Sequence, residues 1–168
     1  MQLDEGTGAE YNLFTLLSFS GNDSATNISS GNNIVTTSNI VDNENGVFMS
    51  NGSNHGHGIF SAVNINHNRG SNIDADGLVN GYTFSACHVY GDSSTTGLVR
   101  LRRSNGIHFS GGTIGATVVD DGGGVNVLFD NYSPEQTPFG ITGNNAGALK
   151  EDLIFDIDRI RSDVGGLR

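Results

Sequence analysis

Three columns of like residues return along this chain at an interval near 23 residues, and that return constrains the fold more than any other feature. Aligned on one apolar position, the segments begin at Phe14, Val35, Phe60, Phe84, Phe109 and, more loosely, Phe129, with spacings of 21, 25, 24, 25 and 20. Five positions on, the residue is again apolar: Phe19, Ile40, Ile65, Val89 and Ile114. One position on, it carries a hydroxyl: Thr15, Thr36, Ser61, Ser85 and Ser110. Two positions on, it is mostly small: Leu16, Thr37, Ala62, Ala86 and Gly111. The sixth segment, NVLFDNYSPEQ, keeps Phe129 but puts Asp130 and Pro134 where the hydroxyl and the second apolar residue belong. It reads as the frayed end of the array.

A fixed period of this size marks a repeat architecture whose units pack only on their neighbours. Phe60, Ser61 and Ala62 alternate in, out, in, which is strand periodicity lasting about three residues. Asn39, Asn64 and His88 then fall at the expected bend, where Asn and His tolerate left-handed backbone better than most residues. A further strand signal recurs as GVFM from Gly46, GLVN from Gly77, GLVR from Gly97 and GVNVL from Gly124. Strands this short bury no face alone. Stacked coils place Phe on Phe and Ile on Ile at about 4.8 Å per step. A content of 35% hydrophobic residues, with 25 Gly and no Trp, suits a thin repetitive core better than a wide two-layer one.

The predicted fold is therefore all-β: a right-handed parallel β-helix, or solenoid, of about six irregular coils over residues 1–136. A β-sandwich with strands every 8 to 12 residues or so suits the length, but it gives no reason for a hydroxyl column to recur. Residues 137–168 form a C-terminal capping or oligomerisation segment. Leu149, Leu153, Ile157, Ile160, Val164 and Leu167 make an apolar stripe on a helix. LIFDIDRI also alternates as a strand with Leu153, Phe155 and Ile157 inward. Under either reading the segment needs covering, as a cap on its own coil or as an oligomer contact.

Eighteen acids against eight bases give a net charge of −10. That argues against nucleic acid or an anionic membrane as a partner, because both need clustered Lys and Arg. No apolar run approaches the 18 or so residues of a membrane span, so no membrane insertion is expected. No signal peptide is legible, which fits release by lysis better than export. Cys87 stands alone, so no disulfide forms within the chain. No cofactor is expected.

Several residues are candidates for chemistry. NIDADG, from Asn72 to Gly77, spaces oxygen side chains at every second residue before a glycine, like the start of a Ca²⁺ loop. It departs at its first position, Asn72, and at its twelfth, Thr83, where a bidentate Glu belongs; an Asx-type turn between coils is the other reading. Asp74 and Asp76, if extended, share a face about 7 Å apart, within reach of glycosidase carboxylate spacings. Asp120 and Asp121 are adjacent and point to opposite faces of a strand. Asp42 and Glu44 make another possible pair. His55 and His57 in SNHGHG lie two apart, a spacing that can share a metal on a strand, although the flanking glycines suggest a loop. Arg100, Arg102 and Arg103 form the one basic cluster, suited to clamping an anionic sugar or a neighbour's acid. One hydroxyl column without a parallel second makes a poor ice-binding ladder.

The coils carrying GIFSAVNINHN and GIHFSGGTIGAT, with their Gly/Asn/Ser turns, resemble the β-helical part of bacteriophage tailspikes and tail fibres over roughly residues 10–135. Pectate-lyase-like enzymes share the architecture, and fold by itself does not give function. The resemblance implies a homotrimer of β-helices in the virion, structural and receptor-binding, recognising host surface polysaccharide. Some members also cleave it with Asp or Glu, so a depolymerase (a lyase or glycoside hydrolase) is one alternative. A purely structural virion or decoration protein is another. The enzymatic members usually have longer β-helices, and no catalytic motif carries over residue by residue. A column of carboxylates and aromatics on one outer face would favour a glycan or enzyme site. An apolar or hydroxyl-rich face would favour contact with a neighbour.

Overall fold

A computed structural model describes residues 1–3, 10–50, 57–78, 81–93, 95–104, 106–121, 127–129 and 141–142. Strand β1 (Gln2–Leu3) precedes five triplets of short strands. The first coil holds β2 (Leu13–Thr15), β3 (Ser18–Phe19) and β4 (Ser24–Ile28); the second holds β5 (Asn33–Thr36), β6 (Asn39–Val41) and β7 (Asn45–Ser50). The third holds β8 (Gly58–Ser61), β9 (Asn64–Asn66) and β10 (Ser71–Asp76); the fourth holds β11 (Tyr82–Ser85), β12 (His88–Tyr90) and β13 (Leu98–Arg102). The fifth holds β14 (His108–Ser110), β15 (Thr113–Gly115) and β16 (Val118–Asp121), and β17 (Val127–Phe129) and β18 (Ile141–Thr142) continue the stack. Among the described residues there is no α-helix.

Each strand pairs in parallel with its counterpart one coil away, which makes three sheets. Sheet A runs β1-β4-β7-β10-β13-β16-β18, sheet B runs β2-β5-β8-β11-β14-β17, and sheet C runs β3-β6-β9-β12-β15. The molecule is a parallel β-solenoid. The register reproduces the sequence columns: Phe14, Val35, Phe60, Phe84 and Phe109 align in sheet B, and the hydroxyl residues align beside them. Phe19, Ile40, Ile65, Val89 and Ile114 align in sheet C. From the second coil onward these inward residues are buried, and the rings of Phe60, Phe84 and Phe109 stack at 5.0 and 4.9 Å. Sheet A takes in Ile141–Thr142, beyond residue 136. The segment 149–164, where helix and strand both fit the pattern, lies outside the described residues.

Four local readings of the sequence are corrected. The bend between sheets B and C is not at Asn39, Asn64 and His88, which open β6, β9 and β12 as regular strand residues. It is at the column just after the hydroxyls, where Leu16, Thr37, Ala62, Ala86 and Gly111 have φ of 56, 48, 53, 52 and 61°. Left-handed geometry costs a non-glycine residue about 1 kcal/mol. The corner offsets this by keeping its ladder: the amides of Thr37, Ala62 and Ala86 donate to the carbonyls of Ser61, Ser85 and Ser110 at 3.0, 3.0 and 2.9 Å.

Secondly, NIDADG is neither a Ca²⁺ loop nor an Asx turn. Ser71–Asp76 is β10, with Ile73 and Ala75 buried and Asp74 and Asp76 turned outward. Gly77, at φ 73°, closes that strand instead of opening another. Thirdly, the sixth segment slips by one: Leu128 pairs with Phe109, and Phe129 pairs with Ser110. Finally, Cys87 is fully buried at 2% exposure, not half buried, with its thiol directed at the Phe60 and Ser85 carbonyls.

An asparagine ladder holds the corner between sheets C and A. Asn22 donates its backbone and side-chain N–H groups to Asn43 Oδ1, at 3.1 and 2.9 Å. Asn43 does the same to Asn68 Oδ1, both at 3.0 Å. Asn68 Nδ2 then donates to the Ile40 carbonyl at 3.0 Å and to Asn72 Oδ1 at 2.8 Å. Each amide thus satisfies backbone groups that a corner takes out of the sheet ladders.

Candidate functional site

On the outer face of sheet B, the residue before each inward apolar position points to solvent. Leu13, Ile34, Ile59, Thr83 and His108 form that column. Its first three members are aliphatic and 66, 39 and 41% exposed. Tyr11, at 79% exposure, stands beside them. Of these, Tyr11, Ile34, Ile59 and Thr83 line a groove of about 450 Å³ together with Asn32 and His57. His57 Nε2 lies 2.6 Å from Asn32 Oδ1. With an amide oxygen facing it, Nε2 donates, and the buried Nδ1 has no protein partner among the described residues.

Gly58 is essential to the floor. A Cβ there would sit 2.4 Å from the Asn33 carbonyl oxygen and 2.5 Å from the Tyr82 ring. Its absence lets Tyr82 lie against the strand and donate its hydroxyl to the Ser30 carbonyl at 2.8 Å, across 52 residues of chain. Burial pushes the Tyr82 phenol up to about 12.

The basic cluster and the first acidic pair meet on the outer face of sheet A. Asp74 stands opposite Arg100 and Asp76 opposite Arg102. Arg102 holds Asp74 through two bonds of 2.9 Å, the bidentate geometry a guanidinium favours. Arg103 holds Asp76 at 3.0 and 2.6 Å, with Arg102 3.6 Å from its other oxygen. Both carboxylates are therefore engaged. Asn72 does not join them: it is fully buried, and its Nδ2 donates to the Tyr90 and Gly97 carbonyls at 2.9 and 2.7 Å.

Asp120 and Asp121 are adjacent in β16. Asp120 is fully buried, in the inward column of Ile28, Met49, Ala75 and Leu101. Asp121 pairs in register with Arg102. Asp42 and Glu44 border a second, polar concavity of about 150 Å³ together with Asp23 and Arg69. His55 lies outside the described residues, so the His55/His57 pair is represented by His57 alone. Among the described residues, no group of three or more His, Cys, Asp or Glu gathers as a metal site would.

The groove itself escaped the sequence reading. Its signal was the run of adjacent apolar pairs, Leu13-Phe14, Ile34-Val35 and Ile59-Phe60, in which strand alternation forces one member outward. The ladder had a signal as well: Asn22, Asn43 and Asn68 each stand three positions after the second apolar column. Comparison with known protein families, curated proteins and solved structures returned no match.

Proposed function

We propose that the chain is a structural and receptor-binding β-helix of a phage spike or fibre, taking host surface polysaccharide in the groove over sheet B. The observation that carries this reading is the groove's make-up. An exposed tyrosine and two isoleucines provide the apolar platform on which sugar rings stack. Asn32, His57 and Thr83 provide the few polar groups that orient them. Support for a depolymerase is weaker, because Asp74 and Asp76 are each ion-paired and Asp120 is buried.

The test is titration calorimetry of the full chain against host surface polysaccharides. Tyr11→Ala, at a site too exposed to matter for folding, weakens binding at least about tenfold on this reading, since ring stacking supplies much of the energy. Binding that ignores Tyr11 refutes the groove as the receptor site. The spike reading further expects a homotrimer, so light scattering should give a mass near three times 17.6 kDa.

A purely structural role is the second reading, favoured by the apolar and hydroxyl residues of that outer column, Leu13, Ile34, Ile59 and Thr83, and by Leu16 beside it, 77% exposed. In that case the face is covered by a neighbouring chain, and polysaccharide titrations show no heat.

A further inference from the structure

We infer that the glycan is electrically neutral, built of hexoses or 6-deoxyhexoses and held by the apolar faces of its rings; this rests on the receptor-binding reading above. Among the described residues, no Asp, Glu, Lys or Arg lines the groove. In sequence, the charged residue nearest to the lining is Glu10, next to Tyr11, and it is an acid. Its surface is Tyr11, Ile34 and Ile59 against the amide, imidazole and hydroxyl of Asn32, His57 and Thr83. A uronate or sialate carboxylate placed there would lose water to aliphatic carbon with no Lys or Arg to replace it. A net charge of −10 on the whole protein adds repulsion.

The groups that would recognise an acidic sugar are elsewhere and largely committed. Arg102 and Arg103 are on the outer face of sheet A, bound to Asp74 and Asp76 at 2.6–3.0 Å. The basic cluster there faces two acids, and Asp121 stands in register with Arg102, so acids and bases are equal in number. That is a poor magnet for a polyanion on a protein this acidic.

The experiment uses the full chain on a panel of neutral hexose and 6-deoxyhexose polysaccharides beside uronate- and sialate-containing ones, at low and high salt. Neutral glycans are expected to bind with affinity changing less than about twofold with salt, since no charge is screened. Tyr11→Ala should weaken that binding at least about tenfold, and Arg100→Gln should leave it intact. Ile59→Lys should shift the preference towards the uronate-containing glycans. Binding of acidic glycans that weakens steeply with salt and is lost in Arg100→Gln overturns this inference while sparing the receptor-binding reading. Binding of nothing on the panel, with Tyr11→Ala indistinguishable from the parent, overturns both.

Discussion

Thr26 is a hydroxyl in the wrong place. It belongs to the inward column of sheet A, in register with Val47, and the column continues through Ile73, Val99 and Val118. It is fully buried, and its Oγ1 has no hydrogen-bond partner among the described residues. A buried hydroxyl without a partner costs about 1–3 kcal/mol. Thr26→Val keeps the shape, replaces the hydroxyl by a methyl group and matches the residues stacked on it. We expect a stabilisation of about 2 kcal/mol, or roughly 4–8 °C in melting temperature for a chain of this size. The assay is urea unfolding followed by far-ultraviolet circular dichroism, with the midpoint rising and the slope unchanged. Thr26→Ser, which keeps the hydroxyl and loses the methyl, should cost about 1 kcal/mol. If the Val variant is no more stable than the parent, the hydroxyl is satisfied in the folded protein and the reasoning fails.

Two more outcomes follow from the buried polar groups. Burial raises the Cys87 thiol from 9.0 to about 11 and the Tyr82 phenol from 10.0 to about 12. Both groups stay protonated longer in the fold than in the unfolded chain. Their stability is complete below pH 9 and is lost as pH rises towards 12, by about 5 kcal/mol in all at 1.36 kcal/mol per unit per group. Urea midpoints measured from pH 8 to 12 should fall accordingly, and Tyr82→Phe should remove about half of the fall. Asn68→Ala strips the ladder of two acceptor contacts and two donor contacts at once. It should cost about 3–4 kcal/mol, whereas Asn22→Ala, at the exposed end of the ladder, should cost under about 1 kcal/mol by the same measurement.

Legibility followed from the architecture. A solenoid stacks each residue on its counterpart one coil away, so Phe60, Phe84 and Phe109 announced their contact through spacing alone. The corner was misplaced because Leu16 and Thr37 look unfit for left-handed backbone, while Asn39 and Asn64 look suited to it. What permits Thr37 there is the onward hydrogen bond from its amide, a tertiary contact. NIDADG was misread for a related reason. Its acids resemble a loop until Ile73 and Ala75 are seen to be the inward residues of a strand.

What the sequence determines by itself is the repeat, its inward columns and hence the β-solenoid, because period and alternation are properties of the chain order. Only the tertiary structure decided which charges pair and where a groove opens. Arg102 finds Asp74 across 28 residues, and Tyr11, Ile34 and Ile59 become neighbours through coils that stack. Such pairings depend on coil lengths of 21 and 25 residues closing in register, and the physical reason they do so lies in the ladder bonds between coils.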